Sequence, residues 1–397
     1  MKQEKRFLVT GATGFIGSHL AGALAEEGHS VYLLIRTLSP QSMTSNDRWN
    51  RIADWLALSP AARARIMVFS GDLDAPDLNM SADDAHFLKT NTEEIVHAAA
   101  STSFSKKKRA EIFRTNVLGL QNLLSFMESG SCSHIHAIST AYVAGNTVTP
   151  CREVFSPARN FINPYEETKH QAEILLREFC SRQDVRLFLY RPSIVYGNSS
   201  TGKTFRFNAL YHPVRSIVYL RDLFMKDILE DSGKEAWKMG ISLDTANQTL
   251  HMPIRFQKQN GTGVNLIPIE YCTDSILELM KAPGKDEIFH ITNKQSTPLN
   301  DLVSFAGRFL KVSGMIVESV SIGQTQQNLV PGALDHLFQR YMEPYQPYIE
   351  DTRVFDDSRA AQILSPAGIH CPIFSYPIFE HCMSYAMGNN WGRTLGL

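Results

Sequence analysis

Paired cysteines are missing from this sequence: Cys132, Cys151, Cys180, Cys272, Cys371 and Cys382 are scattered, with no C-x-x-C among them. That excludes a disulfide scaffold or a zinc ribbon and reads as free thiols in a reducing compartment. No apolar run reaches the roughly 18 uncharged residues of a membrane span, and the charged N-terminus leads into a strand pattern without the apolar stretch of a signal peptide. A cytoplasmic location is expected. Neither sign of charge dominates, with 39 Lys and Arg against 40 Asp and Glu, so there is no broad footprint for nucleic acid or anionic lipid. A small-molecule or protein-bound substrate is expected instead. Repeats and low-complexity tracts are absent. His134 and His136 share one face of a strand, but no third ligand stands near them in sequence, and no metal is expected.

What is present is enough apolar material, 43% of 397 residues, for about two structural units. Up to about residue 200, strand and helix patterns alternate, which implies a parallel α/β sheet covered on both faces. The expected strands are 7–10, 31–35, 66–70, 94–98, 134–139 and 186–190, with helices at 15–27, 82–90, 109–127 and 165–180. The alternation fails at about 201–263, returns at 264–269 and 288–292, and gives way to helices and loops after 296. The expected division is a nucleotide-binding domain at 1–203, rejoined by 262–295, and a smaller, mostly helical substrate-capping lobe within 204–397, built from 204–261 and 296–397.

The first strand runs into Gly11-Ala12-Thr13-Gly14-Phe15-Ile16-Gly17 and then into an apolar helical pattern. Glycine permits a tight turn at positive φ and lets backbone amides approach a pyrophosphate at the positive end of a helix. Strand, glycine turn and helix in this order predict a Rossmann-type, doubly wound dinucleotide site. Downstream, Tyr165 and Lys169 stand at i and i+4 on one helical face, and Ser139-Thr140 closes a strand at the sheet edge where such folds hold ligands. A hydroxyl there can orient a carbonyl while Tyr165 exchanges a proton with its oxygen. The Lys169 charge is expected to lower the phenol's pKa from about 10 toward working pH.

With these elements in one order, the sequence resembles the extended short-chain dehydrogenase/reductases over roughly residues 6–300. The family's hydroxyl stands five residues before a glycine, as Thr140 does before Gly145, so the resemblance implies Thr140, Tyr165 and Lys169 as catalytic, with Ser139 a second hydroxyl. It assigns Gly11, Thr13, Gly14, Phe15, Ile16 and Gly17 to the cofactor, Asp72 and Leu73 to its adenine, and Ala98, Ala99 and Ala100 to its middle. Pro192 and Ile194, with Tyr165 and Lys169, fall to the nicotinamide end, and Asn116 looks like the family's structural asparagine. The second strand ends in Arg36 where NAD enzymes usually carry an acid; a guanidinium suits a 2′-phosphate, so NADP(H) is expected, with Arg48 as a second arm.

An insert at 47–56, followed by 65–73, 76–81 and 95–100, is similar to the thioester-reductase branch, which includes carboxylic-acid-reductase terminal domains and fatty-acyl reductases. Asn79 stands where that branch usually has glycine, and the last 100 residues match loosely, around Tyr348-Ile349-Glu350-Asp351 and Val354-Phe355-Asp356. The resemblance implies NADPH-dependent reduction of an acyl thioester to an aldehyde or alcohol, the acyl group arriving on a separate carrier protein or coenzyme A. The same machinery serves a dehydrogenase, epimerase or dehydratase acting on a hydroxyl or ketone, and a non-catalytic NADP-binding sensor is a third reading. Lys106-Lys107-Lys108-Arg109 reads as a solvated helix start, and Phe104, Tyr142 and Tyr196 as core aromatics that could also wall a pocket.

Overall fold

A computed structural model describes residues 3–37, 43–145, 150–157, 160–259, 263–284, 286–320, 332–343, 345–349 and 351–397. Glu350 of the C-terminal match therefore lies outside the described residues. Seven parallel strands form the central sheet: β1 (Arg6–Thr10), β2 (Ser30–Ile35), β3 (Ile66–Ser70), β4 (Glu94–His97), β5 (His134–Ile138), β6 (Arg186–Pro192) and, after two short strands β7 (Ile194–Tyr196) and β8 (Leu266–Pro268), β9 (Asp286–Ile291). Their order is β9-β6-β5-β4-β1-β2-β3. The inner strands are nearly continuous apolar runs because both faces are covered. Phe7 and Val9 bury on one face, with Leu20 and Leu24 of helix α1 (Phe15–Glu26). Leu8, between them, buries on the other with Leu120, Leu123 and Leu176, as the two-residue period of a strand requires.

The insert becomes helix α2 (Ser45–Leu56), started by a reciprocal Thr44–Asp47 capping box and anchored by buried Trp49 and Ile52. Asn79, placed where relatives of the resembled branch carry glycine, sits at φ +50°, a region that asparagine enters more readily than most residues. The helix expected over 109–127 is interrupted by a π-helical segment at Arg114–Leu118 that carries Asn116. The run at 264–269 divides: Gly263–Val264 pairs antiparallel with Thr297–Pro298, β8 pairs parallel with β7, and a helix begins at Ile269.

Residues from 204–261 and 296–397 share a third core, in which Val214, Ile217 and Leu220 of helix α3 (Tyr211–Glu230) meet Phe256, Val303, Leu310, Phe338, Phe379 and Met383. This lobe is not wholly helical. Ser242–Asp244, Thr249–His251 and Val312–Ser313 form a small sheet, and Arg255–Gln259 pairs with Ile316–Val320. Its second segment also crosses back: Ala360 and Leu364 of the helix Ser358–Leu364 bury in the same core as β1. The buried Glu153 carboxylate accepts the backbone N–H of Arg359 (2.6 Å) and Ala360 (3.2 Å), fixing that return. Among the described residues, no helix is long and apolar enough to cross a membrane.

Candidate active site

The connections reverse direction between β1 and β4, so the loops leaving their carboxyl ends part there and open a crevice. Gly11 enters the turn at φ +73°, and a Cβ on it would lie 2.5 Å from the amide nitrogen of Ala99. A Cβ on Gly17 would stand 2.3 Å from the Gly11 carbonyl oxygen. Only bare backbone permits this approach of the β1 and β4 loops. Gly14 is the N-cap of α1 and provides no side-chain cap, which leaves the first amides of a 12-residue helix facing the crevice. The cradle and its uncapped amides fit a dinucleotide pyrophosphate.

A cavity of about 470 Å³ runs from this turn in among residues of the third core. It gathers Gly14, Phe15, Ile16, Gly17, Ala98, Ala100, Ser139, Thr140, Tyr165, Lys169, Pro192 and Ile194 along one continuous wall. Gly11 and Ala99 form the turn behind that wall. Thr13, Arg36 and Arg48 form an adjoining rim, where Arg48 Nη2 reaches Thr13 Oγ1 (3.4 Å) and Arg48 Nη1 donates to the Arg36 carbonyl (2.6 Å). Asp72 turns its carboxylate to the Asp74 amide (3.0 Å) and the Leu73 carbonyl accepts from Asn122 (2.7 Å), while Asp74 stands 3.7 Å from Arg36 and joins this turn to the same rim.

Tyr165 and Lys169 project from helix α4 (Pro164–Gln183), whose cap Asn163 accepts the Glu166 amide at 3.1 Å. The phenol of half-buried Tyr165 is hydrogen-bonded to the Thr140 side chain, and Lys169 Nζ donates to the Ile138 carbonyl at the end of β5 (2.5 Å). The expected lowering of the phenol's pKa does not occur. Burial pushes Tyr165 up to about 12, with the Thr140 hydrogen bond acting in the opposite sense. Burial likewise brings Lys169 down to about 8, so the side chain expected to acidify the phenol is itself driven toward neutrality. A phenol that stays protonated is a proton donor.

Ser139 also departs from expectation. Its hydroxyl donates to Glu173 Oε1 (2.5 Å), and Glu173 is held by Arg191 at 2.9 and 2.6 Å, all three residues being buried. A hydroxyl committed to that pair ties β5 and β6 to α4 and is not a second free group beside Thr140. Asn116 accepts the Ser101 amide (2.6 Å) and donates to Thr168 Oγ1 (2.9 Å), joining the β4 loop to the helix of Tyr165.

Phe104 and Tyr142 line the cavity with Tyr345 and Tyr348, whereas Tyr196 is core and packs edge-on against Phe374. Beyond Tyr165 the lining turns apolar: Val214, Ile217, Phe256, Leu302, Val303, Ala306, Met342 and Phe379. His136 serves as a core residue between Glu94 and Tyr190, at 2.9 Å from each, and no group of three metal ligands occurs among the described residues. The basic run stays on the surface, with Arg109 paired to Glu167 at 2.7 Å. Two cations at the site were not foreseen. Arg353 pairs with Asp351 (2.9 Å) and Glu166 (3.4 Å), and Arg206 reaches the Thr13 carbonyl (3.5 Å). Both come from stretches without periodicity, and the one sequence signal for Arg206 is its position between Phe205 and Phe207.

A family profile described as male sterility protein, of NAD-binding type, matches residues 9–276. A fatty acyl-CoA reductase from Drosophila melanogaster is 26% identical over an alignment covering 54% of this chain and 48% of that protein. The chain spans less than half the length of the curated relatives it matches, down to 4%. The terminal R domain from the myxalamid polyketide–peptide biosynthetic pathway superposes with a TM-score of 0.73 at 20% identity, covering 99% of this chain and 93% of that one. A thiolation-reductase di-domain from an archaeal non-ribosomal peptide synthetase superposes with a TM-score of 0.68 at 17% identity, covering 98% and 77%. These two likenesses are of fold.

Proposed function

The chain belongs to the male sterility protein family of NAD-binding proteins, and on that premise we propose that it uses NADPH to reduce an acyl thioester to an aldehyde or, with a second hydride, to an alcohol. It is an NAD(P)-dependent oxidoreductase of the extended short-chain dehydrogenase/reductase type. The observation that carries the proposal is the combination of a half-buried Tyr165, its phenol bonded to Thr140 and held in the protonated form, with a cavity whose far end is apolar.

Residues of the glycine turn and the β4 loop, with Pro192, Ile194 and Lys169, would hold the dinucleotide. Arg36 and Arg48 favour the 2′-phosphorylated form, because a planar guanidinium pairs with phosphate oxygens. Bound and reduced, the cofactor supplies hydride. Thr140 and Tyr165 offer two hydroxyls to one oxygen, and Tyr165, neutral across the physiological range, gives its proton as charge develops there. Lys169, next to the Ile138 carbonyl, can return a proton to that side of the site. The aromatic wall excludes water from the reacting centre, and the apolar end takes the acyl tail. Delivery on a carrier protein or coenzyme A is the arrangement that the fatty acyl-CoA reductase and the thiolation-reductase likeness support.

The test is to incubate the purified chain with NADPH and a panel of acyl-coenzyme A and acyl-carrier thioesters, following nicotinamide absorbance, thiol release and product mass. NADPH oxidation is expected with one thiol released per NADPH if the product is the aldehyde and one per two NADPH if it is the alcohol. Redox-neutral turnover of a hydroxyl or ketone substrate would replace this reading with an epimerase or dehydratase.

A further inference from the structure

Arg206 lies in the segment expected to begin the capping lobe, yet its guanidinium reaches the nucleotide-binding domain, with Nη2 3.5 Å from the Thr13 carbonyl. The chain that carries it is closely fixed. Gly202, at φ +69°, packs against Tyr376–Gly388, the last long helix, so tightly that a Cβ would lie 2.0 Å from the His381 carbonyl oxygen. Lys203 donates to the Trp55 carbonyl and stands 4.5 Å over the Trp55 ring. The Thr204 hydroxyl accepts the Arg206 amide and donates to the Arg206 carbonyl, both at 3.1 Å. Phe205 sits edge-on to Phe15 (5.4 Å) and Trp55 (5.0 Å), on the first turn of α1 and the last of α2.

Arg48 approaches the same residue from α2, with Nη2 3.4 Å from Thr13 Oγ1, and its Nη1 bonds the Arg36 carbonyl. Burial and the charges of Arg36 and Arg206 all press on the Arg48 cation. Among the described residues, a single carboxylate, Asp74 at 3.7 Å from Arg36, ion-pairs with any of the three. Three guanidiniums against one carboxylate repel one another, and the surplus matches a phosphate with up to two negative charges. The position beside the glycine turn is where a dinucleotide carries its phosphates.

We propose that Arg206 is a third arm of the dinucleotide phosphate site, supplied by the capping lobe and acting with Arg48 across Thr13. This rests on the cofactor reading above. Asn208, Ala209 and Leu210, a few residues on, line the cavity, so the phosphate contact also anchors the start of the acyl-binding wall.

The test titrates NADPH and NADH into the wild-type, Arg206→Ala and Arg206→Lys proteins, following nicotinamide fluorescence, with ligand-free melting as the control for folding. Loss of a charge-assisted bond predicts a Kd for NADPH raised about tenfold or more in Arg206→Ala, partial recovery in Arg206→Lys, and unchanged ligand-free melting, since the side chain is exposed. A rise for NADPH alone assigns Arg206 to the 2′-phosphate, and an equal rise for both nucleotides assigns it to the pyrophosphate; either supports the proposal. Unchanged affinity for both, with a wild type that binds, overturns it and leaves the cofactor reading standing. A wild type that binds neither nucleotide overturns the cofactor reading itself.

Discussion

Arg353 places Nη2 3.4 Å from the fully buried carboxylate of Glu166, the residue that follows Tyr165. The same carboxylate accepts the Tyr348 hydroxyl (3.0 Å), while Arg353 also binds Asp351 and lies 4.8 Å from the centre of the Tyr142 ring. A C-terminal segment is thereby fastened to the helix that carries the proton donor, through a charge pair with almost no solvent contact.

Removing one partner of such a pair leaves the other charge buried and alone. Arg353→Ala is therefore expected to destabilise the fold by about 3–5 kcal/mol, whereas Arg353→Met with Glu166→Gln should lose much less than the sum of the single changes. Urea unfolding of Arg353→Ala, of the two single variants Arg353→Met and Glu166→Gln, and of their double variant measures this. Strict additivity would show that the two side chains are not coupled.

Tyr165→Phe should lower turnover by about 10²- to 10⁴-fold while NADPH affinity stays close to wild type, because the phenol is bonded to Thr140 and is one of several groups expected at the nicotinamide end. With Tyr165 raised to about 12, the proton needed for reduction is present at neutral pH and is lost only as pH climbs through that value. A pH–rate profile whose alkaline limb falls near 10 and survives in Tyr165→Phe would assign that limb to another group.

Lys169 gives a stability test of its own. Burial lowers it from 10.5 to about 8, so between those values the unfolded chain binds a proton that the folded chain does not. Stability then rises with pH across that window. Relative to Lys169→Met, the ligand-free wild type should gain roughly 3 kcal/mol between pH 7.5 and 10.5, read from denaturant midpoints at both ends. A pH-independent difference would mean that the ammonium is solvated in the folded protein.

The sheet was legible because its strands are apolar on both faces and its turns carry glycine where backbone meets backbone, as at Gly11 and Gly17. Tyr165, Lys169 and Thr140 were legible because local spacing puts them at one sheet edge. Ser139 misled: adjacency to Thr140 says nothing of a Glu173–Arg191 pair contributed by α4 and β6. The phenol's ionisation misled for a similar reason, since burial is a property of the whole cavity and outweighs a lysine four residues away. Arg206 meets Thr13 across 193 residues of sequence and Arg353 meets Glu166 across 187, and no short-range period records such contacts.

Arg36, the residue that follows β2, is expected to set the choice of cofactor. Arg36→Asp should shift preference from NADPH toward NADH by about two orders of magnitude, combining a lost phosphate partner with a new repulsion. The ratio of Kd values for the two nucleotides measures this. An unchanged ratio would assign discrimination to Arg48 and Arg206.

If the substrate is an acyl thioester as proposed, its chain length should be limited by where the cavity ends. Ala306, on the helix Leu299–Leu310, lines the apolar end with Ile217, Val303 and Phe379, and is itself buried. A phenyl ring there occupies space that the distal methylenes of an acyl tail would fill, each worth about 0.8 kcal/mol when buried. Ala306→Phe is accordingly expected to raise KM for long acyl thioesters by about 10-fold or more, as removal of two methylene contacts would. The shortest substrates, which do not reach this end, should keep their kcat/KM because Thr140 and Tyr165 are untouched. Competition between a short and a long acyl thioester in one reaction, resolved by product mass, reads the change directly. Equal loss for both lengths would mean that the tail lies elsewhere, and with it the apolar end would cease to be the acyl site.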